Sequence, residues 1–395
     1  TATQIAAFST TQLASLSTTQ AQGVMAAQVA AFSADQLAAL APTQLSAISA
    51  TAIGGLTTTE IQLLTTTQIA AFSATQFAAL NATQTGAFTT TQVLALSSAQ
   101  IARLSSTSIA SLDPTLLGAL TTTQIKGMVS TQVAALTTSE MQALSTTQMA
   151  ALTAGALMGL TSTQLSSLSV GQVAVMSNTN LSYLSQSAIG GLTADQIGAL
   201  ETTQLAAFTA TQVAGLSSTA VAALTGGRLA GFTTTQLAAF TSTQVGALSA
   251  IDIAGLTSTQ LRSLTSTAVG GLEAEDIAAL STTKLQSMLA AQVAALSTTT
   301  VQGLTSAEVS ALTSTQFNSL SATQIGALNT TRIGAFTTTQ LNSFTVTQIS
   351  GLASTQVQSL STTTIGGLGA TQLAALSETA IQSLSSQQAA ALSTT

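Results

Sequence analysis

The chain has no cysteine, histidine or tryptophan, two prolines and one tyrosine in 395 residues, and only 5% of it is charged. Each shortage closes off a class of function. Without cysteine there is no disulfide framework, and without cysteine or histidine the usual zinc and iron–sulfur ligand sets are missing. Acid–base or nucleophilic chemistry is left with carboxylates, lysine, serine, threonine and Tyr183. About 25% of an ordinary globular domain is charged, so here hydroxyls and amides must form the surface. The six basic residues, Arg103, Lys126, Arg228, Arg262, Lys284 and Arg332, stand far apart in a chain of net charge −6. Nucleic-acid binding, which needs clustered Lys and Arg against phosphates, is argued against. Mean hydropathy is positive, +0.50. Even so, Gln, Thr and Ser break up the apolar residues, and no run approaches the roughly 20 needed to span a bilayer.

What the chain does have is an octapeptide, seen plainly in Thr65–Phe72 and repeated without a break in phase through 49 octads. A fixed short period overrides the usual inference of domain number from length. The expectation is one continuous repeat solenoid over residues 1–395. The sequence opens directly on an octad at Thr1, without an initiator methionine or signal peptide, and stops at Ser393-Thr394-Thr395. On that basis it reads as a segment of a longer or processed protein.

With Thr65 as position 1, position 8 is Leu, Phe, Met, Ile or Val in all 49 octads, and position 5 is large and apolar except at Ala21, Thr85 and Ala389. In a strand, two residues three apart point to opposite faces, whereas in a helix they share one. The octad therefore reads as helical, with Ile69 and Phe72 in the core. One unbroken helix fails, because eight residues at about 100° each overshoot two turns by roughly 80°. The helix has to stop and restart in every repeat. Position 1 supplies the start: Ser or Thr in 38 octads, with Asn81, Asp113 and Asn329 as equivalents. Position 4 is Gln in 30 octads and Glu at Glu60, Glu140 and Glu308, which completes the capping box that pairs Thr65 with Gln68. Pro42 and Pro114 both fall at position 2, the first helical position, where a missing N–H costs least. Small residues at positions 6 and 7, as in Ile53-Gly54-Gly55-Leu56, mark surfaces for close backbone approach. The expected fold is an all-α solenoid of about 49 capped helices of six or seven residues, one per octad. A β-solenoid, suggested by the short period and the abundant Thr, is the alternative.

No catalytic or cofactor-binding constellation is present, and an enzyme is not expected. The densest acidic stretch, Glu273-Ala274-Glu275-Asp276, together with Asp252, offers a weak calcium candidate through oxygen ligands; a solvated edge is the commoner explanation of such a group. Tyr183 and Arg103 at position 7, and Lys126 and Arg262 at position 6, are read as coil edges facing water. Met25, Val129 and Leu289 replace a cap with an apolar residue.

In segments such as Thr233–Phe240, the pattern Thr-Thr-x-Gln-(Ile/Leu/Val)-Ala-Ala-Leu resembles the octapeptide arrays of very large bacterial secreted or surface proteins, labelled as repeat-containing adhesins or as haem-utilisation proteins. The resemblance covers the whole chain. It implies an extracellular or cell-surface stalk, fibre or filament subunit that self-associates. Haem binding has no support in these residues, since His and Cys are absent. The alternative function is a binding module whose Thr/Ser/Gln-rich face recognises ice, polysaccharide or another surface.

Overall fold

A computed structural model describes residues 1–392; the stub Ser393-Thr394-Thr395 lies outside them. Among the described residues there are 48 α-helices and one 3-10 helix, one to each octad, and no strand. The all-α reading holds, and the β-solenoid alternative has no element to support it.

The octad Thr65–Phe72 shows why each helix begins and ends where it does. Thr65 is extended (φ −68°, ψ 158°) and its side chain accepts from the Gln68 backbone N–H at 3.2 Å. The Gln68 side chain reaches back, its Oε1 accepting from the Thr65 N–H at 2.9 Å. The capping box is therefore closed in both directions. At the other end the Phe72 N–H bonds to the Ile69 carbonyl, three residues back, which tightens the last turn. Across the array the residues at positions 8 and 1 are extended, as at Leu64 (φ −62°, ψ 135°) and Thr65. This closure shortens the helices. Most run four to six residues, and only Ser386–Leu392 reaches seven. The expected six or seven counted residues at positions 6 and 7 that instead close on 3-10-type bonds.

Where the cap residue is apolar, half the box survives. Met25, Val129 and Leu289 still donate their N–H groups to Gln28, Gln132 and Gln292. Thr85, in a core position, is fully buried; its Oγ1 donates to the Asn81 carbonyl and pairs with Ser111 Oγ. The one octad with a 3-10 helix contains Gly226 (φ 69°) and Gly227 (φ 83°), left-handed conformations natural only to glycine. Its core residues Leu229 and Phe232 remain buried.

The chain divides into two compact units, residues 1–192 with 199–207, and residues 193–198 with the chain from 208 onward. Within the first, Pro114–Ala119 packs on Thr138–Ala143, which packs on Ser162–Ser167. Within the second, Ser258–Ser263 packs on Thr282–Ser287 and that on Ser306–Ala311. Within each unit, helices thus stack three octads apart. Positions 5 and 8 point between them, with Ile69, Val133 and Leu285 fully buried.

Position 7 is where backbones meet. A Cβ added to Gly159 would lie 1.9 Å from the Ser130 carbonyl oxygen, and one on Gly191 would lie 2.1 Å from that of Ser162. Position 6 sees a looser approach, as at Gly86, where the Ser111 oxygen would be 3.1 Å away. The bulky exceptions Arg103, Lys126, Tyr183 and Arg262 are exposed, as expected of edges facing water.

Two glycine substitutions separate packing from propensity. Gly159→Ala forces carbon into a backbone contact and should destabilise its unit by about 1–3 kcal/mol. Gly198→Ala, inside Ala194–Ala199 with nothing within 4 Å of the new Cβ, should stabilise by about 0.5–1 kcal/mol. Urea unfolding midpoints of the two variants should move in opposite directions.

Candidate functional site

The repeated feature with the most specific chemistry is the side chain at position 4, buried in most octads although polar. Gln68 is 3% exposed. Its Oε1 caps its own helix, while Nε2 donates to the Leu37 and Leu40 carbonyls at 2.9 Å each. Those carbonyls stand 31 and 28 residues back, at positions 5 and 8 of the octad four places earlier. Gln132 repeats the arrangement on Ile101 and Leu104, both at 2.7 Å, and Gln316 repeats it on Leu285 and Met288, both at 2.8 Å. These carbonyls belong to a helix C-terminus, where oxygens are left without intrahelical partners. One primary amide therefore satisfies the start of one helix and the end of another in the coil beneath. With helices stacked three octads apart and amides reaching four, each unit completes a superhelical turn in between three and four octads.

Other donors occupy the same slot. Asn180 Nδ2, Ser108 Oγ and Thr300 Oγ1 donate to the carbonyls of Leu152, Leu80 and Leu272, each 28 residues back. Arg228 donates to Ile197, Lys284 to Ala254 and Arg332 to Leu304. Half of the six basic residues are thus donors to backbone oxygens. Ala156, Ala188 and Ala268 fill the slot with a buried methyl group instead.

This tie was not anticipated from the sequence, which assigned Gln68 to the capping box alone. A signal for it existed. A capping box accepts Gln or Glu, yet position 4 holds 30 Gln against three Glu. A preference for the amide means that its NH2 end is used. The positions of Arg228, Lys284 and Arg332, all at position 4, carry the same message.

The calcium candidates do not converge. Among the described residues no three or more Asp, Glu, His or Cys side chains are placed to hold a metal ion. Asp252 and Asp276 are buried position-4 residues: Ser249 Oγ donates to Asp252, and the Glu273 N–H donates to Asp276 at 2.8 Å. Glu273 and Glu275 are exposed on the edge of a cleft that also includes Ser297 and Thr299. Burial raises the Asp276 carboxyl above the usual aspartate range, the Glu273 N–H opposes that, and the neighbouring Glu273 and Glu275 charges add to it.

Gln132→Ala removes one cap bond and two ties and should cost about 2–4 kcal/mol. Gln12→Ala, where the side chain is exposed and makes only its cap bond to Ser9, should cost about 0.5–1 kcal/mol. Native-state hydrogen exchange in the flanking octads measures both locally. For Asp276, a raised folded-state value means that its stabilising contribution is complete at acid pH and lost as pH rises through that value. Asp276→Asn, which keeps the cap acceptor, should therefore raise stability at neutral pH. The gain should vanish below about pH 3.9, the ordinary aspartate value, in thermal melts across pH.

Comparison with known proteins places this periodicity among described repeats. A family model described as the ALTTAQ repeat matches residues 109–146 and 269–306. One stretch falls in each compact unit, and both are spans of the same octad array. No curated protein matches the chain. The chain is a repeat array, and two of its stretches are similar to the ALTTAQ repeat.

Proposed function

We propose that this chain is a structural repeat protein, working as the stalk of an adhesin or as a filament subunit at the cell surface or outside the cell, and that it is not an enzyme. The observation that supports the reading is the position-4 tie, found in octad after octad of both units. A coil joined to the coil beneath by several equivalent amides shares an axial load among many modest hydrogen bonds, so no single rupture opens the array. Neutral amide and hydroxyl groups also make these joints insensitive to ionic strength, unlike surface ion pairs.

Self-association belongs to the same proposal. Any coil face left uncovered presents the donors or carbonyl acceptors that stack coils internally, and repeat arrays expose their cores at such faces. Sedimentation velocity at rising concentration, with negative-stain electron microscopy of the same samples, should show end-to-end assembly into elongated species. A particle that stays monomeric at the highest concentrations would remove the filament reading.

One observation favours the second reading, a binding module. Position 3 is exposed in every octad and is Thr in 35 of them, so hydroxyl and methyl groups repeat along the surface. The face is rich in Thr and Ser; the position-4 Gln side chains counted toward it in the sequence reading are mostly buried. Co-sedimentation with insoluble polysaccharide, and thermal hysteresis for ice, test this reading directly.

A further inference from the structure

The octad Thr225–Phe232 departs from the others in its turn. Gly226 and Gly227 take positive φ, so the helix starts late, at Arg228, after a glycine that supplies no side-chain cap. The Arg228 N–H reaches the Thr225 carbonyl only at 3.5 Å. The next octad, Thr233–Phe240, shows what the glycine turn forgoes. There the Gln236 N–H donates to Thr233 Oγ1 at 3.2 Å and the Thr233 N–H to Gln236 Oε1 at 2.8 Å. The arginine is not the cause. Arg332 holds the same position in Asn329–Phe336, where Thr330 and Thr331 stand in place of the glycines and the Asn329 side chain caps the helix Thr330–Gly334. Beside the glycine turn lies an open cavity of about 260 Å³, bounded by Gly226, Gly227 and the 83%-exposed Ile251. The surrounding array is also thinly tied. In the nine octads from Ser217 to Met288, position 4 is Gln only at Gln236, Gln244 and Gln260, against 30 of 49 in the chain. Ala220, Asp252, Ala268 and Asp276 have no side-chain N–H to give.

We propose that this turn is a cleavage site for proteases that take arginine at the bond they cut. The Arg228–Leu229 amide takes up one water, leaving a carboxylate on Arg228 and a free amine on Leu229. A protease needs several residues of open backbone, which a capped and packed helix supplies only by local unfolding. Opening is easiest where neither a cap nor close packing opposes it. Arg103, Lys126 and Arg262 are more exposed than Arg228, whose side chain donates to the Ile197 carbonyl. Each of the three, however, lies in or directly after a helix with a closed capping box. Backbone opening, not side-chain exposure, therefore sets the order of cutting. The cut does not release a piece. Ala210–Gly215 packs on Thr234–Leu237, and Ser218–Ala222 on Ser242–Val245. Gln244, downstream of the bond, donates to the Val213 and Leu216 carbonyls upstream of it. The product is a nicked, still assembled array with new ends at one defined octad.

Limited digestion of the intact chain with trypsin under native conditions, with fragments identified by mass, tests this. Residues 1–228 and 229–395 should appear first, about 5- to 30-fold ahead of any other cut, the factor set by one or two modest interactions missing from the turn. The two fragments should co-elute with uncut chain in gel filtration. G226T/G227T rebuilds the octad on the pattern of Asn329–Phe336 and keeps Arg228; it should slow that cut by the same factor. Native-state hydrogen exchange of the parent gives a measure that does not depend on the variant folding: amides of residues 225–232 should exchange at least about 5-fold faster than those of 233–240, after correction for intrinsic rates. First cutting at any other basic residue, an unchanged rate in a folded G226T/G227T, equal exchange in the two octads, or fragments that separate without denaturant would each overturn the proposal.

Discussion

The structure depends on a primary amide having two ends that do opposite things. From Gln36 onward the oxygen of a position-4 Gln accepts at the start of a helix and its nitrogen donates at the end of another helix one coil below, as Gln68 does between Thr65 and the Leu37 and Leu40 carbonyls. Helices of four to six residues leave most of their N–H and C=O groups outside the intrahelical ladder. Isolated, they would not form. Here the ends of helices four octads apart face one another across coils, and a single side chain joins donor-poor and acceptor-poor backbone in one bridge. Secondary and tertiary structure are therefore coupled, since most helices are held at one end by the carbonyls of the coil beneath.

The same economy explains which replacements occur. Asn180, Ser108, Thr300, Arg228, Lys284 and Arg332 differ in charge and length, yet all present hydrogen to the same ring of oxygens. Where the tie is made, the carbonyls fix the requirement and the side chain need only reach; Ala156, Ala188 and Ala268 fill the slot without it. Position 7 tolerates little where coils are closest, since Gly159 and Gly191 leave no room for a Cβ against the backbone below. The core positions fall between these limits: Val, Ile, Leu, Met and Phe interchange at positions 5 and 8, as expected where volume and hydrophobicity set the fit.

Much of this was legible in single octads. The core at Ile69 and Phe72, the cap at Thr65 and the box partner at Gln68 all follow from spacing and from hydrogen-bonding groups within eight residues, and all stand in the structure. Helix length was overestimated because a 3-10 closure does not alter the apolar pattern. The calcium reading joined carboxylates of stacked coils, but their octad positions face different ways: Asp252 and Asp276 turn inward as position-4 residues, while Glu273 and Glu275 stay on the surface.

By itself the sequence determined the repeat, the helical state, the cap and the two core positions, because these rest on interactions within about one helical turn. Only the tertiary structure decided that helices stack three octads apart, that amides tie across four, and that position 4 is therefore buried rather than displayed. The physical reason is distance along the chain. An eight-residue period is the same in every octad and so carries no mark of which octad will lie beneath which; that is set by the turn angle of the two extended residues at positions 8 and 1, and by how closely backbones can approach at position 7.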